Sequence, residues 1–206
     1  MTLSQPEQLL PSGFDYHPAV ISLDKSIALY DYLCEQLIWQ QPRIKVFGKY
    51  HTIPRKQCFI ADDDVVYSYS KQTLNNSPWP APLLAMRHRL QCTYGFEFNA
   101  LLVNWYRDGQ DKMGWHSDDE AELGQEPCIV SISLGASRKF KIKHKVTGQQ
   151  YELLLQSGSA LVMHGDSQQL YQHALPAQAK VSGGRINLTF RTVGQALTKA
   201  YSNGRK

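Results

Sequence analysis

From Gly114 to Glu120 the chain reads Gly-Trp-His-Ser-Asp-Asp-Glu, a histidine followed by three carboxylates. Within this run His116-x-Asp118 has the spacing of two metal ligands, because alternate residues of an extended strand project to one side and can reach the same ion. A solvated acidic loop can look the same, so the rest of the ligand set has to decide. A third ligand must come from a neighbouring strand, and Tyr171-Gln-His173-Ala-Leu-Pro supplies a histidine far downstream. Two histidines and one carboxylate make the face on which proteins hold Fe(II) while leaving positions open for a cosubstrate and O2. A second His-x-Asp, His164-Gly-Asp166, stands only a few residues before His173, follows a strand end at a glycine, and reads as a turn.

The tail carries a second pattern. In Arg185-Ile-Asn187-Leu-Thr189-Phe-Arg191 the polar residues fall on alternate positions, so all four face one side of a strand and Ile186, Leu188 and Phe190 fill the other. An edge strand with a wet outer face would read alike. Two guanidinium forks on one face, however, match a dianionic ligand in geometry and charge. Asn104-x-Tyr106 adds an amide and a phenol from another strand. An iron face beside a clamp for two carboxylates describes an oxygenase that uses 2-oxoglutarate.

These residues need elements to hold them. With 206 residues, 42% of them apolar and 19% charged, the chain suits one domain with a real core. The formal charge of +4 and pI near 8.8 permit a polyanionic partner without demanding one. Cys34, Cys58, Cys92 and Cys128 are scattered, which excludes a tight zinc cluster and reads as free thiols in a reducing compartment. No stretch approaches the ~18 apolar residues of a membrane span, and the first residues lack the pattern of a signal peptide. A cytoplasmic monomer is expected.

Ser22-Leu-Asp-Lys-Ser-Ile opens a helix that buries Ile27, Tyr30, Leu33, Cys34 and Leu37. A second helix starts near Ser77-Pro-Trp-Pro, turns Leu83, Met86 and Leu90 inward and stops near Gly95. Strands are expected at Ile44–Phe47 and Val65–Tyr69. After Gly95 they follow at Asn99–Tyr106, Cys128–Leu134, Lys139–His144, Tyr151–Leu155, Ala160–Met163 and Arg185–Arg191. Helices followed by many short strands predict a mainly β, α+β fold: a β-sandwich or a jelly roll (double-stranded β-helix), with helical support on one side. Residues 1 to about 95 form helices and hairpins, and about 96 to 193 the jelly-roll core, within one domain.

Taken together, Asn104-Trp-Tyr-Arg-Asp-Gly, Gly114-Trp-His-Ser-Asp-Asp-Glu, Val130-Ser-Ile-Ser-Leu-Gly-Ala-Ser-Arg, His173-Ala-Leu-Pro and Arg185-Ile-Asn-Leu-Thr-Phe-Arg resemble, in that order, the AlkB family of Fe(II)/2-oxoglutarate dioxygenases that reverse alkylation of nucleic-acid bases. The resemblance runs from about Phe47 to Val193. It implies Fe(II) on His116, Asp118 and His173, and 2-oxoglutarate on Asn104, Tyr106, Arg185, Asn187 and Arg191, with Arg185 at the distal carboxylate and Arg191 near the metal. It also implies O2 as oxidant, and DNA bases of the 1-methyladenine and 3-methylcytosine type as substrate, with formaldehyde and succinate released. RNA bases or a protein side chain are alternative substrates of the same chemistry, and a non-catalytic nucleic-acid-binding module is a further alternative.

The block Val46-Phe47-Gly-Lys-Tyr-His-Thr-Ile-Pro-Arg55-Lys-Gln is similar to the family's duplex-preferring branch, where such a hairpin inserts an aromatic into the vacated stack. By this resemblance Phe47 is the wedge and Arg55 contacts substrate. Tyr67, Tyr69 and Ser70 form a lid over the flipped base, and Glu120 meets its exocyclic amine. Two features depart from that branch. The loop after His173 keeps only Lys180 of a basic run, and His144-Lys-Val-Thr-Gly-Gln-Gln is shorter than the loop that grips the undamaged strand. Each lost phosphate contact weakens binding to a duplex, so activity on both single- and double-stranded DNA is expected.

Overall fold

Apolar residues at every second position close two sheets face to face, while a continuous apolar run lets helices cover the outside of one of them. The computed structural model describes residues 10–46, 48–63, 65, 68–69, 72–73 and 76–194. In chain order they form β1 (Phe14–His17), α1 (Leu23–Gln36), β2 (Arg43–Val46), β3 (Lys49–Thr52), β4 (Lys56–Ala61), β5 (Ser68–Tyr69), β6 (Gln72–Thr73), β7 (Asn76–Ser77) and α2 (Ala81–Tyr94). Then come β8 (Ala100–Tyr106), β9 (Met113–His116), β10 (Ile129–Gly135), β11 (Arg138–His144), β12 (Gln150–Leu155), β13 (Ala160–Met163), α3 (Ser167–Leu170), β14 (Tyr171–Leu175) and β15 (Arg185–Arg191).

The larger sheet has the order β1-β13-β10-β15-β8-β4-β7, and the smaller one β12-β11-β14-β9. Hairpins β2-β3 and β5-β6 stand apart from both. Helices α1 and α2 cover the outer face of the larger sheet, where Leu33, Leu83 and Leu90 pack on Val103, Val130, Ile132, Leu188 and Phe190. The space between the sheets is filled by Phe14, Ile129, Phe140, Ile142, Leu153, Leu161 and Met163, and by Tyr106. Of the two architectures that the strand pattern allows, this is the jelly roll, with the expected one-sided helical support. None of the helices among the described residues is long and apolar enough to cross a membrane.

One expectation fails locally. Ile27 is 51% exposed, and the fully buried residue of that turn is Ser26. The helix is rotated because it must lie close to the β12–β13 turn. There Val20 and Ile21 both donate backbone hydrogen bonds to the Gly158 carbonyl, and a Cβ on Gly158 would meet the Ser26 hydroxyl. Only a small side chain fits at that approach.

The strand that matters most follows the expected alternation. Ile186, Leu188 and Phe190 of β15 enter the helix-side core, which sends Arg185, Asn187, Thr189 and Arg191 between the sheets. Arg138 of β11, fully buried, ties that interior together. It donates to the carbonyls of Asp108, Asp111 and Pro176, joining the turn after β8 to the loop after β14.

Candidate iron and 2-oxoglutarate site

Strands β9 and β14 pair antiparallel with His116 directly opposite His173, so two residues distant in sequence become cross-strand neighbours, with ring centroids 4.3 Å apart. The register then slips between His173 and Leu175, a bulge of the kind that re-aims a side chain. Asp118 follows just beyond β9. Ligand atoms of His116, Asp118 and His173 all lie within 4.8 Å of one another. His116 Nδ1 stands 2.8 Å from the Gly114 carbonyl and donates to it, which leaves Nε2 as the lone-pair nitrogen on the Asp118 side.

Whether these residues suit a cation can be judged from their unmet needs. Asp118 Oδ1 and His173 Nδ1 are buried and have no hydrogen-bond partner among the described residues. The imidazole nitrogen nearest Asp118 Oδ1, His116 Nε2, is 3.7 Å away. A buried carboxylate oxygen left this way is costly, and a divalent ion held with the two imidazoles would satisfy it. The set fits Fe(II).

Protonation is set accordingly. Burial alone would raise the Asp118 carboxyl, but the Arg191 guanidinium, 2.8 Å from Oδ2, together with both histidines, holds it below the usual carboxylate range. Burial, and then the neighbouring His116, push the His173 imidazole down to about 3. Burial likewise lowers His116, with Asp118 opposing it. The site therefore presents two neutral imidazoles and one anion at neutral pH.

The His173 shift has a measurable consequence in the metal-free protein. Below pH 6.5 the unfolded chain binds a proton on this residue and the folded chain does not, down to about pH 3. Stability should accordingly fall as pH drops through that window, by up to about 1.4 kcal/mol per pH unit from this group. Denaturant midpoints from pH 7 to 4 test this: His173→Gln should flatten the slope, and an unchanged slope would contradict it.

The residues expected to hold the cosubstrate converge on the same space. Asn104, Tyr106, His116, Asp118, His173, Arg185, Asn187 and Arg191 all line one cavity between the sheets, with about 500 Å³ of empty space including its mouth. Arg185 donates to Ser133 Oγ at 2.9 Å and to Asn187 Oδ1 at 2.7 Å, while its buried Nε has no partner among the described residues. Burial lowers this guanidinium to about 10, so it stays charged at neutral pH. The guanidinium carbons of Arg185 and Arg138 stand 5.5 and 5.9 Å from the centroid of the Tyr106 ring. A dianion lying between Arg185 and the metal face would meet positive charge along its length.

Some supporting residues escape the sequence reading. Ser131 and Ser133 of β10 hold Asn187 and Arg185 respectively; the alternation Ser131-Ile-Ser133 on a buried strand was the available signal. Gln168 of α3, also buried, accepts the Asp118 backbone N–H at 2.9 Å and so fixes the loop that carries the carboxylate. A four-residue helix gave no advance sign of this.

Among the expected base-contacting residues, Glu120 is half-buried two residues past Asp118. Arg55 is buried and donates from Nε to Asn104 Oδ1 at 2.9 Å. Tyr69 belongs to the short strand β5, which pairs with β6. Phe47, Tyr67 and Ser70 lie outside the described residues. The look-alike His164 sits at a glycine turn and pairs with Asp15 at 2.9 Å, away from the site.

Comparison with known proteins agrees with this geometry. Residues 13–191 match a family model described as the 2OG-Fe(II) oxygenase superfamily. The DNA oxidative demethylase ALKBH2 of Bos taurus is 40% identical over 159 residues, covering 73% of this chain and 57% of its own. The ALKBH2 of Arabidopsis thaliana is 34% identical, covering 88% and 67%. The alpha-ketoglutarate-dependent dioxygenase alkB homolog 3 of Homo sapiens is 31% identical, covering 90% and 68%. The match spans 57%, 66% and 61% of the length of the cattle, mouse and human ALKBH2 proteins. The solved structure of OsALKBH1 superposes with a TM-score of 0.65 at 19% identity, over 90% of this chain and all of that one.

Proposed function

The chain belongs to the AlkB family within the 2OG-Fe(II) oxygenase superfamily, and from that premise we propose that it is a dioxygenase that demethylates N-alkylated DNA bases, of which 1-methyladenine and 3-methylcytosine are the type. The observation that carries this reading is the meeting, in one cavity, of a two-histidine, one-carboxylate face with the buried guanidinium of Arg185. ALKBH2 relatives named as DNA oxidative demethylases support the choice of substrate class.

His116, Asp118 and His173 would hold the iron, which with 2-oxoglutarate and O2 would supply the oxidation of an N-methyl to an N-hydroxymethyl group, lost as formaldehyde to leave the bare nitrogen, with succinate and CO2 as the other products. The chain's own work is placement. Arg185, set by Ser133 and Asn187, takes the distal carboxylate in a two-pronged grip. Arg191 holds Asp118 in line and keeps it ionised. Burial of these groups excludes water from the reacting end.

A methyl on the ring nitrogen makes such bases cationic and unable to pair, so they leave the stack at lower cost than undamaged ones. The carboxylate of Glu120, half-buried two residues past Asp118, would favour a positive ring. Formaldehyde release from oligonucleotides bearing one defined methyl lesion, single- and double-stranded, tests the proposal. Iron-dependent release with matching succinate is expected. Succinate formed at the same rate with and without the lesion, and no formaldehyde, would refute it. In the same assay Phe47→Ala is expected to slow repair of duplex far more than of single strands, and equal losses would show that Phe47 only packs.

A further inference from the structure

Arg55, one of the expected base-contacting residues, is hydrogen-bonded to Asn104, which lines the cavity where the cosubstrate is expected. It stands one residue before β4 and shares its inward side with Gln57, which pairs with Asn104 of β8. It is only 5% exposed. Its Nε donates to Asn104 Oδ1 at 2.9 Å. Nη1 and Nη2 make no hydrogen bond or ion pair among the described residues, yet neither is sealed from solvent. A buried guanidinium with no carboxylate against it is costly unless a ligand completes it.

The bond to Asn104 settles that side chain's orientation. Guanidinium only donates, so the amide oxygen must face Arg55, and the amide NH2 turns toward the cavity that Asn104 lines. An amide presented this way offers hydrogen to a carboxylate; rotated by half a turn it would offer a repelling oxygen. The two remaining nitrogens of Arg55 form a fork suited to phosphate or carboxylate oxygens.

We propose that Arg55 serves both substrates at once: its Nε orients the Asn104 amide toward 2-oxoglutarate, and its two terminal nitrogens receive a phosphodiester of the strand whose base enters the cavity. The second half rests on the nucleic-acid reading above. Toward the cosubstrate Arg55 is a positioning residue, acting through Asn104. Toward the strand it is a binding residue, and it links occupancy of one site to the geometry of the other.

The two halves separate experimentally. Binding of the unreactive analogue N-oxalylglycine, measured calorimetrically with Mn(II) and no nucleic acid, reads the orienting half. Arg55→Met is expected to weaken it about tenfold, and to have no further effect in an Asn104→Ala background. Single-stranded oligonucleotide binding across a salt series reads the other half, where Arg55→Met should lower the slope of log K against log salt by about one. Arg55→Gln, which keeps a donor and loses the charge, should retain analogue affinity within about threefold and still lose that unit of slope; it also carries the test should the methionine variant fail to fold. Unchanged analogue affinity in Arg55→Met, a full further loss in the Asn104→Ala background, or an unaltered salt slope would each overturn the proposal. Wild-type protein that binds no oligonucleotide would instead overturn the nucleic-acid reading, and the analogue measurement would stand apart from that result.

Discussion

Replacing His116 with alanine is expected to abolish 2-oxoglutarate consumption and to leave a folded protein. Residues that only orient a metal ligand cost about 10- to 100-fold in affinity when removed, and a ligand itself should cost more than about 100-fold. His116 supplies one of three donors, and the remaining two, Asp118 and His173, would have to hold a ferrous ion alone. The fold should survive because the imidazole is partly exposed on β9, an edge strand of the smaller sheet, and contributes little to the core. A matched control is available in His164→Ala, which removes the histidine of the other His-x-Asp. That side chain pairs with Asp15 at the surface and should be dispensable for turnover. Mn(II) titration followed by electron paramagnetic resonance, alongside succinate formation, reads both effects. Wild-type turnover in the His116 variant, or equal losses in the two, would refute the metal assignment.

The contrast between the two histidine–aspartate pairs shows what the sequence could carry. Both have the same spacing and both precede His173, but only His116 lies on a strand that pairs with the one carrying His173. His116 and His173 meet because β9 and β14 pair in register, and pairing partners are a property of topology rather than of local pattern. The residues of that pairing were legible, and the pairing itself came only with the structure. The inward face of β15 was plain from alternation alone, because a period of two survives any choice of neighbours. What alternation could not reveal was which small polar groups stand across from it. Ser131 and Ser133 matter because β10 lies beside β15 with Ser133 opposite Asn187.

Strand β4 escaped notice for a related reason. Lys56–Ala61 opens on two polar residues and closes on Cys-Phe-Ile-Ala, a pattern with no clean alternation, because a strand with cores on both faces needs none. Missing it hid the link from Arg55 to Asn104, since those residues approach only when β4 pairs with β8. The Ile27 error has a different source. The apolar spacing of α1 allows more than one buried stripe, and the tight approach at Gly158 selected the one through Ser26.

Arg185→Met is expected to raise the Kd for 2-oxoglutarate more than about 100-fold while costing the cosubstrate-free protein little. Truncating one partner of a buried, hydrogen-bonded charge pair costs about 2–5 kcal/mol of binding, and here the lost partner is the fork proposed to grip the distal carboxylate. Stability should respond differently. Without cosubstrate, Arg185 is a buried cation whose Nε is unsatisfied and whose pKa is pushed down to about 10, so the folded protein bears the cost of keeping it charged. Methionine relieves that cost and fills part of the volume, against the loss of two hydrogen bonds to Ser133 and Asn187. The balance should lie within about 1 kcal/mol of wild type. Arg185→Lys sharpens the case, because it keeps a charge and loses the planar two-pronged grip; affinity should recover only in part. Calorimetric binding of 2-oxoglutarate with Mn(II), paired with denaturant midpoints, measures the two quantities together. A destabilisation of several kcal/mol with cosubstrate affinity intact would show that Arg185 is a structural ion of the core, and the clamp would have to be sought elsewhere in the cavity.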